Sequence, residues 1–259
     1  MIANFYKYQG AGNDFVIIDN RNCNFPKEDV KIINHICDRK FGVGADGMML
    51  LENSERADFK MVYFNADGHE GSMCGNGGRC LVAFANRLGI FEDETIFEAG
   101  NTLYKASLHD DQVSLQMSDV KRIEKNDGYV FLDTGSPHHV SFEKNISDMD
   151  VYTTGRSIRY GAPYLDSGTN VNFVEKLNDD SFKIRTYERG VENETLSCGT
   201  GATAAALAAH YLQKTNKNKV MMKTLGGDLT IDFVREGKLY HNIVLSGPAT
   251  FVYEGSISV

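Results

Sequence analysis

The 259 residues carry 42% hydrophobic and 24% charged side chains, the balance of a soluble globular chain long enough for two domains with their own cores. A net charge of −8 argues against a nucleic-acid binder, which needs clustered Lys and Arg to neutralise phosphates. No apolar stretch nears the ~20 residues that cross a bilayer, so no membrane association is expected.

The N-terminal MIANFYKYQGAGNDF has neither a basic region nor an apolar leader core. Five cysteines without framework spacing favour a reducing compartment, and the cytoplasm is the expected location.

In chain order, residues 2–19 alternate around the GAGND break, which predicts strand, tight turn, strand. Pro26 is expected to open a helix through KEDVKIINHICDRK, with Val30, Ile33, Ile36 and Cys37 on one face. GVGADG, from Gly42, has the spacing of a dinucleotide fingerprint, but a helix precedes it and the strand-like MMLLE follows, the reverse of what that motif requires. DFKMVYFN, residues 58–65, reads as a strand that delivers Asn65 to a cysteine-containing loop and then to a helix ended by Gly89. Residues 95–117 alternate as further strands.

After Lys121-Arg122 the pattern restarts. YVFLDTGSPHHVSF reads as strands, a helix is expected near Asp148 to Thr154, and NVNFVEK and FKIRTYERG lead to a second cysteine and a second helix. KVMMKTLGGDLTIDFV and the remainder close with strands.

Two stretches organise the chain, NADGHEGSMCGNGGRC from Asn65 and ERGVENETLSCGTGATA from Glu188. In each, a cysteine precedes Gly-x-Gly and an apolar, alanine-rich run, which places Cys74 and Cys198 at helix starts. Amides at a helix N-terminus stabilise anions, and such a site draws a thiol's pKa from ~8.5 toward neutrality. The repetition extends further, since Phe59-Lys60 is matched by Phe182-Lys183 and GAGNDFVII by TGSPHHVSF at nearly the same offset. The expected fold is therefore α+β, with two similar lobes related by a pseudo-two-fold, each a mostly antiparallel, barrel-like sheet around a central helix. Residues 1–118 would form the first lobe, completed by a C-terminal strand at 246–259, and residues 119–245 the second, with the active site between them.

Two such cysteines suit proton transfer in which a thiolate removes a proton from one face of a carbon while a thiol supplies one from the other. An amino-acid α-carbon would be the target, its carboxylate held by the Gly75-Asn76 and Gly199-Thr200 amides as charge develops, without a pyridoxal cofactor.

The blocks GAGNDFV, NADG with CGNGGRC, GSPHHV, NVNFV and YERGVENETLSCGTGAT, in this order, resemble the signature blocks of diaminopimelate epimerases. The resemblance implies a cofactor-independent, homodimeric enzyme that interconverts LL- and meso-diaminopimelate in lysine and cell-wall synthesis, with no metal. It assigns Cys74 and Cys198 as the acid/base pair, and Gly75, Asn76, Gly199 and Thr200 as the carboxylate cradle. Asn13, Asn65 and Asn170 become substrate-binding amides, Glu188 and Arg189 recognise the distal amino-acid group, and His138 and Glu188 tune the cysteines. Three departures stand out: Ser136 where the family often has Asn, Gly47 where it has Gln, and an extra residue within VENET.

For Cys23, Cys37 and Cys80 a core position is expected. One of His138 and His139 should be structural, because strand neighbours point to opposite faces. The alternatives are a proline or hydroxyproline racemase-like enzyme, against which Glu188-Arg189 speaks, a dithiol redox protein, and an inert carboxylate-binding module.

Overall fold

Alternation along β1 (Ile2–Gly10) buries Ala3, Phe5 and Lys7, Tyr8 is buried out of phase with them where the register shifts, and the chain reverses through Ala11 (φ 52°) and Gly12 (φ 84°) into β2 (Asn13–Asp19). Two central residues at positive φ match the twist of the paired strands, which is why a two-residue turn suffices. In the computed structural model, which describes residues 1–71 and 73–258, this hairpin opens the first of two units. That unit comprises Met1–Leu115 and the segment from Gly247 onward, and the second comprises Gln116–Ser246. Ser72, inside the first cysteine stretch, lies outside the described residues.

Helix α1 (Val30–Cys37) begins four residues later than Pro26. Asp29 caps it by accepting from the Lys31 and Ile32 amides, and Pro26 to Asp29 forms a separate turn closed by the Asp29 N–H on the Pro26 carbonyl. A carboxylate at the cap position satisfies amides that a longer helix would have to do without. Ile33, Ile36 and Cys37 are buried as expected, whereas Val30, at the first position, is exposed.

The chain continues through β3 (Gly47–Glu52), β4 (Phe59–Asn65), α2 (Gly75–Arg87), β5 (Glu94–Ala99), β6 (Thr102–His109) and β7 (Gln112–Gln116), and β17 (Thr250–Ser258) pairs with β1. The order in the unit is β17-β1-β2-β3-β4-β5-β6-β7. Its ladders are antiparallel except β2–β3 and β4–β5, the two pairs joined through helices α1 and α2, as parallel pairing requires a crossover. Helix α2 contacts β1, β2, β3, β4, β6 and β17, so the sheet wraps it.

The second unit repeats this plan. It contains β8 (Ile123–Lys125), β9 (Tyr129–Asp133), β10 (Pro137–Phe142), α3 (Val151–Tyr160), β11 (Asn170–Lys176), β12 (Ser181–Glu188), β13 (Asn193–Thr195), α4 (Gly199–Tyr211), β14 (Lys219–Lys223), β15 (Asp228–Glu236) and most of β16 (Leu239–Pro248). The order β8-β9-β10-β11-β12-β14-β15-β16 has parallel ladders at the equivalent places, β10–β11 and β12–β14. Helix α4 contacts β9, β10, β11, β12, β14 and β15, and Ala202, Ala204–Ala206, Ala208 and Ala209 are all fully buried, small enough for strands to close around them. The fold is α+β, each unit strands around a helix.

Helix α3 starts at Val151, because Asp150 takes the cap by accepting the Thr153 amide, while Ile146–Asp148 forms a short 3₁₀ turn. Gly155 lets α3 lie against β12, since a Cβ there would stand 2.4 Å from the Tyr187 Cβ. Gly155→Ala would gain up to about 1 kcal/mol of helix propensity. Overpacking of this kind costs about 1–3 kcal/mol. The expected result is a net loss, read as a lower urea midpoint.

Cys37 and Cys80 are buried, but Cys23 is exposed, in a turn at φ 54° closed by its N–H on the Asn20 carbonyl. Its position is set by turn geometry and not by apolar burial. No helix among the described residues is long and apolar enough to cross a membrane.

Candidate active site

Cys74 and Cys198 are the N-cap residues of α2 and α4, both with extended backbone and neither capping its helix through the side chain. The first intrahelical bonds run from Gly78 N–H to Cys74 O at 2.7 Å and from Ala202 N–H to Cys198 O at 2.9 Å. The amides before Gly78 and Ala202 therefore have no intrahelical carbonyl to bond, and they stand in the first turn beside each cysteine. Gly75, Asn76 and Gly199 are buried, Cys74 is half-buried and Cys198 is 8% exposed. Each unit thus presents a sulfur at the positive end of a helix enclosed by its own sheet.

In the first unit, Asn13 opens β2 and brings an amide to Cys74. Its Oδ1 lies 3.7 Å from the Cys74 Sγ and accepts from Asn76 Nδ2 at 3.4 Å, while its Nδ2 donates to Asp46 at 2.5 Å. Behind it, Asp14 pairs with Lys7 at 2.7 Å and with Arg39 at 2.6 Å, and Lys7 also donates to the Gly44 carbonyl. Burial would raise the Asp14 pKa, but the hydrogen bonds from Arg39 and Lys7 outweigh it and hold the carboxyl at about 2. Asn65 is exposed at the end of β4, where its backbone closes the turn through Gly68 N–H and His69 O.

Gly47 pairs with Asn65, and a Cβ on it would meet the Phe64 carbonyl and the Tyr63 ring, each at 2.7 Å. A longer side chain cannot stand there while Tyr63 keeps its place, which accounts for that departure.

In the second unit, Cys198 Sγ lies 3.4 Å from the Thr200 hydroxyl, and Thr134 donates to the Thr200 carbonyl at 2.9 Å. Asn170 is buried and bonded through both amide atoms: Nδ2 donates to Ser136 Oγ at 2.8 Å and to the Pro137 carbonyl, and Oδ1, which can accept a second bond, accepts the Arg189 N–H at 2.9 Å. Ser136 therefore holds Asn170 in place. Glu188 accepts from Thr195 at 3.0 Å, and the exposed Arg189 donates to the Ser167 carbonyl at 3.0 Å.

The segment with the extra residue is tied down by its own carboxylates. Glu192 accepts from Arg159, Tyr187 and the Gly190 amide, and Glu194 takes a two-pronged bond from Arg185 at 2.6 and 2.7 Å. The result is β13, paired to β12 beside Glu188.

His138 is fully buried, with Nδ1 3.1 Å from Asn172 Nδ2. Asn172 also donates to the His139 carbonyl at 3.1 Å and accepts from Thr186 at 3.0 Å, so its nitrogen faces His138. His138 Nδ1 is then the acceptor, which assigns the proton to Nε2, a buried donor with no protein partner among the described residues. His139 is buried too, stacked on Tyr129 and bonded to Tyr164 at 3.0 Å, so both faces of β10 are covered.

Burial pushes His138 down to about 3, with the Arg189 charge adding to it, and burial pushes His139 down to about 4. Both values lie below the ordinary ~6.5 of the unfolded chain, so as pH falls through that point the unfolded state takes up protons the folded state refuses. Stability is expected to fall from pH 7 toward pH 5, each histidine contributing up to about 1.4 kcal/mol per pH unit. Urea midpoints that stay level over this range would contradict neutral, buried imidazoles.

Sequence reasoning passed over Asn172 and Arg79. Asn172 lies inside the strand NVNFV, where it reads as one more alternating position, and it joins His138, Thr186 and Gly201, whose Cβ would stand 2.4 Å from its Oδ1. Arg79 lies within the first cysteine block, CGNGGRC, and is 0% exposed. Among the described residues no group of three His, Cys, Asp or Glu is arranged to hold a metal.

The chain matches the family model described as Diaminopimelate epimerase over residues 5–123 and 130–252, two segments that carry the two cysteine helices. It is 53% identical to a protein of Flavobacterium psychrophilum named Diaminopimelate epimerase, over 97% of this chain and 99% of that one. A protein of the same name from Chlorobaculum tepidum is 44% identical over 96% and 99%. Among solved structures, a PhzF family phenazine biosynthesis protein of Bacillus anthracis superposes with a TM-score of 0.79 at 15% identity, covering all of both chains. A hydroxyproline epimerase of Agrobacterium vitis does so with 0.70 at 14%, covering 100% of this chain and 93% of that one. At such identities the structures show a shared fold alone. The full-length relatives and the family model settle the assignment: the chain belongs to the diaminopimelate epimerase family.

Proposed function

We propose that this chain interconverts LL- and meso-diaminopimelate by proton transfer at the α-carbon, with Cys74 and Cys198 as the acid/base pair. The observation that carries the reading is the 53% identity, over nearly the whole chain, to a relative named for that activity. The equivalent placement of both cysteines at helix caps supports the mechanism.

The thiolate of one cysteine takes the α-hydrogen as a proton, and the C–H electron pair passes into the adjacent carboxylate. The amides of Gly75, Asn76, Gly199 and Thr200 stabilise that growing charge, a term worth several kcal/mol when donors are preorganised. The thiol of the other cysteine then delivers its proton to the opposite face, which inverts the centre and exchanges the roles of the two sulfurs. No external cofactor takes part.

Glu188 suits the distal ammonium and Arg189 the distal carboxylate, with Asn13, Asn65, Asn170 and Ser136 completing recognition. His138 Nε2–H, a buried donor, serves the cysteine chemistry, as does Glu188. The same reading includes a homodimer, which sedimentation can test.

The reduced protein should convert LL-diaminopimelate to the meso form by chiral chromatography and leave L-proline and trans-4-hydroxy-L-proline unchanged. Inversion of either proline instead would replace this reading with that of a proline-type racemase.

A further inference from the structure

Arg79, the fifth residue of α2, is 0% exposed, yet no carboxylate pairs with it among the described residues. Its Nη1 donates to the Gly75 carbonyl at 3.3 Å and its Nη2 to Asn76 Oδ1 at 3.0 Å, while Nε has no partner among the described residues. Enclosing a cation against neutral oxygens alone is costly, and burial presses its pKa downward. The fold nevertheless makes room for it. Gly10 in β1 passes so close that a Cβ there would lie 3.1 Å from the Asn76 carbonyl, 3.2 Å from Cys80 Sγ and 3.5 Å from the guanidinium.

The guanidinium also sets a direction. It can only donate, so Asn76 must turn its oxygen toward it and its nitrogen toward Asn13 Oδ1. Asn13 must then turn its nitrogen toward Asp46, a carboxylate that only accepts. The resulting one-way relay runs from Arg79 through Asn76 and Asn13 to Asp46, and it leaves the Asn13 oxygen 3.7 Å from Cys74 Sγ. An oxygen there receives the proton of a thiol and disfavours a thiolate, whereas the buried cation and the helix terminus favour the thiolate.

We propose that Arg79 is a positioning residue for the reaction at Cys74: its cation is the buried counter-charge of the Cys74 thiolate, and the relay it starts holds the acceptor for the thiol. Both protonation states of the sulfur are then provided for, which a reaction running in both directions requires. The inference rests on the proton-transfer role of Cys74 proposed above.

Other charges near this group are accounted for. Asp14 on β2 and Asp46 before β3 are paired by Lys7 of β1 and by Arg39. Cys80 on α2 is pushed up to about 12 by burial and stays neutral, burial raises the Tyr8 hydroxyl of β1, and Arg87 and Glu254 of β17 pair at the other end of the helix.

The test is the pH dependence of Cys74 alkylation by iodoacetamide in the full chain, resolved from the other cysteines by peptide mass spectrometry, for wild type, Arg79→Gln and Arg79→Lys. In R79Q the Cys74 midpoint is expected to rise by about one pH unit or more, the effect of losing one nearby buried charge. The Cys198 midpoint stays in place, kcat falls by a similar factor with a smaller change in KM, and R79K keeps most of the wild-type profile. An unmoved Cys74 profile in R79Q, an equal shift at Cys198, or an R79K profile as displaced as that of R79Q would each overturn the role. If R79Q does not fold, R79K alone decides, since a displaced midpoint with the charge retained contradicts the proposal and a retained one supports it.

Alkylation needs no substrate, so the two readings separate. An unmoved profile in a working epimerase removes Arg79 only. A shifted profile in a protein that does not turn over diaminopimelate removes the activity, and with it the positioning role, and leaves only the pairing of the Arg79 cation with the Cys74 thiolate.

Discussion

Replacing either Cys74 or Cys198 by alanine is expected to reduce turnover of diaminopimelate by at least about a hundredfold, the lower end of what one positioned acid or base contributes. Each sulfur stands at the cap of its own helix with a distinct neighbour, the Asn13 amide for Cys74 and the Thr200 hydroxyl for Cys198. Neither can take over the other's proton transfer if inversion needs a donor and an acceptor on opposite faces. Removing both should cost little more than removing one, because residues that act as a unit are not additive. Steady-state rates of the two single variants and the double variant check this, and a single variant that epimerises at the wild-type rate would remove its cysteine from the scheme. Cys74 is half-buried and Cys198 buried, and each change to alanine removes a single sulfur atom, so circular dichroism should show folded variants.

The second large effect is expected at a glycine. Gly201, in the first turn of α4, has no room for a methyl group: its Cβ would stand 2.4 Å from Asn172 Oδ1 and 3.3 Å from both the Cβ and Sγ of Cys198. Asn172 cannot simply rotate away, since it accepts from Thr186 and donates to the His139 carbonyl and to His138. Leaving such a buried group unpaired costs about 1–3 kcal/mol. The alternative, moving the sulfur, is worse for rate than for stability, because a displacement of ~1 Å at a reacting group can cost about a hundredfold.

Gly201→Ala should therefore lower kcat by about that factor, with a smaller change in KM. Gly77→Ala, at the corresponding place in α2, is the internal control. There the nearest atom is the flexible Met49 sulfur at 3.1 Å, and Cys74 Cβ is 3.5 Å away, so a milder loss is expected. Equal losses in the two variants would contradict the argument from Asn172.

The duplication was legible because its marks are local. Gly-x-Gly after a cysteine, an alanine run and a repeated Phe-Lys strand survive as patterns in one dimension, and the two units have equivalent ladders and crossovers. Helix starts were less legible, because Asp29 and Asp150 act as caps only once their side chains meet particular amides. Pro26 and Asp148 offered competing starts at the level of composition. Cys23 resembles a core cysteine in sequence and is placed outside by a turn.

What pattern cannot carry is a buried polar group whose partners come from elsewhere. Asn172 looks like a strand residue until Thr186 and His138 arrive beside it, and Arg79 looks like a surface charge until β1 closes over it at Gly10. Gly47 reads as a missing glutamine, whereas Tyr63 and the Phe64 carbonyl fill the space that side chain would need. These residues are silent in the sequence for the same reason: their meaning depends on contacts between strands that are distant along the chain.

The central claim is that one sulfur removes the α-hydrogen and a different one delivers its replacement. Incubation of the reduced protein with LL-diaminopimelate in heavy water, sampled early and read by mass spectrometry, tests it most directly. The account predicts one deuterium in each meso molecule formed, at the inverted α-carbon, with the recovered LL substrate still carrying protium. Meso product that retains its original hydrogen would contradict it.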